Sequence, residues 1–302
     1  MSLRRLLGLS TGAAVSGHYL RRSISTAASR PPWALFEKFT PATGSALGAS
    51  VRIVEPPRVS SLLVPALHVR ASAAPDPGSG VSQALIGHVS STSGDGLLLI
   101  TIYDMLTGAS NREGRSMDFD LGHLPPASYA TRFICNPLTG RLSRLPDIGG
   151  PWEFLWPDMG FLTKADRGHG PPDGFAVAQL DGNKMIRFLS ETGKWDITVT
   201  APYQLPLARR MMMDQEALAL GGRLWWVDQS WGVVSADPFS DQPEPRFVEL
   251  PRGSVLPAPG KSVYNYRRVV VSEGKLRYAE VWQREPFVLS TFVLDDDEGG
   301  GC

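Results

Sequence analysis

The sequence predicts an all-β fold, a propeller-like array of roughly five or six small antiparallel sheets, behind an N-terminal segment of different character. Three observations predict it. Short apolar or alternating runs recur about every ten residues from residue 48 onward. Glycine (31) and proline (25) are abundant in the 302 residues, which favours short elements joined by turns over long helices. Two sequence themes also recur at a spacing near that of a four-stranded blade, about 40–50 residues.

The first forty residues stand apart. Arg4, Arg5, Arg21, Arg22 and Arg30 all precede the first acid, Glu37, with serine and threonine frequent between them. Arg-rich, Ser-rich and acid-free is the composition of an organelle transit segment. Leu3, Leu6 and Leu7 lie at helical spacing with Arg4 and Arg5 off that face. A cationic amphipathic helix is drawn across a membrane that is negative inside. Pro31-Pro32 ends any such helix. The expectation is a disordered or helical targeting segment over 1–30, with a mitochondrial address favoured. A plastid address, or a cytoplasmic or nuclear protein with a merely basic N-terminus, are the alternatives.

The candidate strands come next. They are 50–54, 61–69, 82–90, 97–103 and 130–136, then 175–180, 184–190, 195–200, 223–228, 232–236, 246–250, 266–272, 276–282 and 287–294. Asp181-Gly182-Asn183 is a hairpin turn between two of them, and Glu273-Gly274-Lys275 is another. Residues 209–220 carry the best helical period past residue 40, and read equally as a loop followed by a strand. Residues 146–172 read as a long loop, the place for a boundary if there are two domains. Otherwise 31–294 forms one domain, and 295–302 is a solvated acidic and glycine-rich tail.

The first repeated theme is Gly222-Arg-Leu-Trp and Gly274-Lys-Leu-Arg, 52 residues apart. The second is a strand, a polar turn and another strand. It begins at Phe133-Ile-Cys-Asn-Pro-Leu-Thr-Gly and recurs in degraded form at Phe188-Leu-Ser-Glu-Thr-Gly and Val234-Ser-Ala-Asp-Pro-Phe-Ser. One blade cannot bury both faces of its sheet, so stacked blades bury them against each other. A tryptophan in each blade is expected to fill the wide outer gap. A β-sandwich, or two small β domains, is the alternative.

The segment 218–251, which opens Leu218-Ala-Leu-Gly-Gly-Arg-Leu-Trp-Trp-Val-Asp-Gln-Ser-Trp-Gly, resembles the core of a large plant family. That family is domain-of-unknown-function 1618, much expanded in grasses. Tyr266-Arg-Arg-Val-Val-Val-Ser-Glu-Gly-Lys-Leu, Val51-Arg-Ile-Val-Glu-Pro-Pro and Asn136-Pro-Leu-Thr-Gly-Arg-Leu are also similar to it. The resemblance implies a propeller-like fold akin to F-box-associated and kelch domains, and no activity. With no F-box-like helical segment before the repeats, a ubiquitin-ligase adaptor role does not carry over.

Bulk charge narrows the partners. Bases and acids number 30 each, and losing 1–30 would leave 25 bases against 30 acids. Neither balance favours nucleic acid. The longest apolar run, near 97–103, is far shorter than the roughly 20 residues a membrane helix needs. No membrane insertion is expected. Two cysteines, Cys135 and Cys302, make no disulfide framework.

No motif assembles a catalytic, cofactor or metal site, so none of these is expected, and an enzyme is the less favoured reading. Gly8-Leu-Ser-Thr-Gly12 matches a nucleophile-elbow string but lies inside the targeting segment. Gly260-Lys-Ser262 ends like a P-loop, yet Val255 stands where its first glycine belongs, and Pro257 and Pro259 lack amide donors. The histidines at 18, 68, 88, 123 and 169 show no metal-ligand spacing. Asp295-Asp-Asp-Glu298 lacks the alternation of a calcium loop. Met211-Met-Met213 reads as loop or core filling before it reads as a contact patch.

Trp225, Trp226, Asp228 and Trp231 form the densest aromatic cluster with an acid beside it. They read in two ways: an interaction surface, or blade packing with Asp228 bonding a turn. The function expected is a monomeric, non-enzymatic protein-interaction module with an unidentified protein partner. A small-molecule binder or enzyme, with a channel site built from distant residues, is the alternative.

Overall fold

The computed structural model describes residues 34–37, 39–41, 48–66, 69, 81–108, 129–149, 159–164, 174–202, 205, 209–213, 215–257, 265–282 and 285–294. These fold as the expected all-β, propeller-like array, with five small sheets. They fall into two compact units that divide between Met159 and Gly160.

The first unit holds two sheets. One has three strands, β1 (Leu35–Phe36), β4 (Val59–Leu63) and β3 (Ser50–Arg52), in that spatial order. The other has β2 (Phe39–Pro41), β5 (Val81–Thr92), β6 (Leu98–Gly108), β7 (Tyr129–Asn136) and β8 (Arg141–Arg144). β5 and β6 form a long antiparallel hairpin with a register shift between Val89 and Ser91. Leu62, Val64, Leu98, Ile100, Ile102, Phe133 and Cys135 make its core. Alternate residues of β6 and β7 supply that core, as the period of two requires.

The second unit holds three sheets. The third sheet runs β9 (Gly160–Thr163), β10 (Phe175–Asp181), β11 (Lys184–Leu189), β12 (Lys194–Val199). The fourth runs β13 (Leu218–Leu220), β14 (Arg223–Asp228), β15 (Gly232–Ala236), β16 (Arg246–Glu249). The last has three strands, β17 (Arg267–Ser272), β18 (Lys275–Val281) and β19 (Leu289–Leu294). Within each sheet the chain is a simple antiparallel meander. β9 adjoins β13 and β14, and β13 adjoins β17, so the first strands of the three sheets neighbour one another in succession.

The repeated themes mark equivalent places in these sheets. Gly222-Arg-Leu-Trp and Gly274-Lys-Leu-Arg each open the second strand after a two-residue hairpin. Both central residues of each turn have positive φ: Gly221 and Gly222 at 62° and 75°, Glu273 and Gly274 at 53° and 70°. That is the turn whose twist matches the strands it joins. The second theme marks the β7–β8, β11–β12 and β15–β16 connections. In two of them an Asn or Asp carboxamide or carboxylate oxygen accepts backbone N–H groups two or three residues on. Asn136 Oδ1 takes those of Leu138 (3.0 Å) and Thr139 (3.2 Å), and Asp237 Oδ1 takes that of Phe239 (2.9 Å).

Two expectations change, and one left open is decided. Residues 146–172 are not all loop, because Gly160–Thr163 is β9, paired along β10. Its four residues are all buried, and a run that short shows no alternation. Of the two readings of residues 209–220, the loop followed by a strand holds: the described residues are a linker that ends in β13. Tryptophan is not shared one to a sheet either. Trp225, Trp226 and Trp231 all lie in the fourth, while Trp282 of the last sheet is exposed.

Candidate functional site

The β14 strand places alternate side chains on opposite faces of its sheet. Leu224 and Trp226 join Leu162, Ala178, Leu180 and Met185 of the third sheet. Trp225 and Val227 join Val269, Leu276, Tyr278 and Leu294 of the last. Trp225, Trp226, Asp228 and Trp231 are all buried, the last three completely. The cluster is therefore the packing between sheets and not an exposed interaction surface. Met211 and Met213 fill the same core, and Met212 is exposed.

Asp228 ends β14 and organises the turn into β15. Its Oδ1 accepts from the Ser230 amide at 2.9 Å and the Ser230 hydroxyl at 2.5 Å, and its Oδ2 from the Met212 amide at 3.0 Å. The Arg209 guanidinium lies 3.7 Å from Oδ2 and 4.5 Å from the centre of the Trp231 ring. It also donates to the Leu256 carbonyl at 2.8 Å. The pair thus ties the 209–213 linker and the loop after β16 to one turn. Gly232 starts β15 because a Cβ there would stand 2.5 Å from the Val248 carbonyl oxygen and against the Phe247 ring.

A second cluster joins the fourth and last sheets. Arg267 donates to the Gln229 carbonyl at 3.1 Å and the Ser254 carbonyl at 2.5 Å, and lies 3.4 Å from Glu280. Glu280 accepts from the Tyr278 hydroxyl at 2.7 Å and the Ser254 hydroxyl at 3.0 Å. Burial, then the bond to Glu280, raises the Tyr278 pKa above its ordinary value. The Gln215 amide bonds both the N–H (2.9 Å) and the C=O (2.6 Å) of Val269, as a neighbouring strand would.

These clusters are ionisable and sheltered, and the bonds they make hold turns and loops. Each oxygen of Asp228 and Glu280 accepts at least one hydrogen bond from the protein. Cys135 is buried, and burial pushes its thiol up to about 12, which leaves it un-ionised at neutral pH. His88 is buried, with Nδ1 at 3.3 Å from the Ser90 hydroxyl. Among the described residues no three metal-ligating side chains gather. His18, His68, His123, His169, the 8–12 and 260–262 strings and the 295–298 acids lie outside the described residues.

The last sheet and the turn before β19 leave large apolar side chains uncovered. Trp282 is 61% exposed, Phe287 69% and Leu289 66%. Register puts Val270, Ala279, Val281, Leu289 and Val293 on one face of the last sheet, together with Arg268, Lys275 and Arg277. A groove of about 420 Å³ runs between β16 and β19, lined by Val248, Glu249, Pro251, Phe292, Val293 and Leu294. Sequence reasoning found these strands but not this surface, because a strand buried on both faces and one exposed on both look alike in hydropathy.

Residues 226–299, from β14 through the last sheet, match the family described as "Protein of unknown function (DUF1618)". The resemblance read from the sequence holds over that segment. No curated protein matches the chain.

Proposed function

We propose that this chain, of the DUF1618 family over residues 226–299, is a non-enzymatic protein-interaction module that docks a partner on its last sheet. The observation that carries the reading is a contrast. Trp282, Phe287 and Leu289 stand in solvent, while the sheltered acids and arginines are engaged in holding loops. Large apolar side chains gathered on one surface are the usual mark of a contact site. The acidic balance after residue 30 fits a protein partner better than a nucleic acid. The Arg-rich, acid-free 1–30 segment supports delivery to the mitochondrion.

The test is immunopurification of untagged full-length protein from mitochondria, with quantitative mass spectrometry. Wild type is compared with Trp282→Asp/Leu289→Asp. A partner at near-equal amounts with wild type, and lost with the variant, supports the reading. A partner retained by the variant, or none with either, overturns it.

A further inference from the structure

Among the described residues the last sheet has three strands, as does the sheet of β1, β4 and β3, where the third and fourth sheets have four, and β19 is its edge. The last strands of three other sheets carry charge, which blunts an edge against pairing. β12 has Lys194 and Asp196, β16 has Arg246 and Glu249, and β8 has Arg141 and Arg144. β19, Leu289-Ser-Thr-Phe-Val-Leu294, has none. It resembles β15, Gly232-Val-Val-Ser-Ala236, the uncharged third strand of the fourth sheet, which is covered by β16.

The free edge has a defined geometry. The Trp282 amide donates to the Val288 carbonyl at 3.0 Å. Antiparallel ladders alternate, so Ser290, Phe292 and Leu294 bond inward to β18, and the amides of Leu289, Thr291 and Val293 point away from the sheet. The 420 Å³ groove is lined on one side by Phe292, Val293 and Leu294 of β19, and Glu249 is the one charged residue lining it. The sequence then continues directly into Asp295-Asp-Asp-Glu298.

The geometry points to a fourth strand supplied by another protein. β19 takes an extended segment of the partner, antiparallel, with apolar residues at alternate positions and basic residues at its N-terminal end, facing Glu249. Main-chain bonds along the edge supply affinity, and the groove and its acid supply specificity. This rests on the interaction reading above and names the form the partner takes.

The test uses full-length protein and a fluorescein-labelled peptide of lysines followed by alternating valine and threonine, read by anisotropy. Wild type binds it. Thr291→Pro removes one outward N–H without touching the inward ladder and weakens binding about tenfold or more, while Thr291→Ser binds as wild type. Should Thr291→Pro fail to fold, the peptide carries the test. One probe is N-methylated on every valine and a second on every threonine. One of the two loses binding and the other keeps it, because only alternate amides face β19. Equal binding of the two probes, no binding of the parent peptide, or full binding to folded Thr291→Pro overturns strand addition. So does a wild-type dimer in sedimentation that Thr291→Pro abolishes, since the occupant is then a second copy. If the peptide fails while the co-purified partner still depends on Trp282 and Leu289, the interaction reading stands and strand addition alone falls.

Discussion

Trp225 and Trp226 are neighbours in β14 and belong to different cores: Trp225 packs with Tyr278 and Val269 toward the last sheet, and Trp226 with Leu162 and Ala178 toward the third. One dipeptide therefore cements three sheets. Trp226→Ala should cost about 3–5 kcal/mol in urea unfolding, as large aromatic truncations in tight cores do. Trp226→Phe should cost less, because the buried indole Nε1 has no hydrogen-bond partner among the described residues. Neither substitution should change the affinity of the folded protein for its partner.

Asp228 joins a turn, a linker and an arginine, so removing it strands several donors at once. Asp228→Ala should destabilise by about 3–5 kcal/mol, and Asp228→Asn by less, since the amide oxygen can still accept from Ser230. Urea midpoints of both variants against wild type check the order.

Cys135 gives a pH signature. Its folded pKa is raised from 9.0 to about 12 by burial. A raised thiol pKa means the unfolded chain loses its proton first. Stability is therefore complete below about pH 9 and falls as pH rises toward 12, with a limiting slope of about 1.4 kcal/mol per unit from this group. Tyr278, also raised, adds a loss of the same sign at higher pH. Cys135→Ala should show a shallower fall between pH 9 and 11 in denaturant titrations.

The N-terminal segment yields its own outcome. Residues 1–30 fused to a fluorescent protein should direct it to mitochondria, and replacing Arg4, Arg5, Arg21 and Arg22 with glutamine should leave it in the cytoplasm. Import that survives those replacements would refute the address.

Much of the fold was legible in the sequence. Residues 223–228 and 232–236 are strands to the residue, because their apolar runs end at strong turn formers, Gly222 and the Asp228–Trp231 turn. The Gly-basic-Leu theme found the same hairpin in two sheets, since that turn demands positive φ. β9 escaped because all four residues of Gly160–Thr163 are buried and sit among prolines and glycines. The tryptophan cluster drew notice for its density, but density does not distinguish a face from a core. Burial depends on which sheets flank β14, and that is a long-range fact. The unpaired edge of β19 was hidden for the same reason: its sequence is that of an inner strand, and only the strand order shows that no described strand pairs with its outer side.

The most direct test of the interaction reading is the stoichiometry of the purified protein's complex in wild type and in Trp282→Asp/Leu289→Asp, with both proteins shown to be folded by their thermal transitions. The account predicts one partner at near-equal amounts with wild type and its loss with the variant. A partner retained at full stoichiometry by the folded variant would contradict the claim that the last sheet is the docking surface, and wild type recovered alone would contradict the interaction module itself.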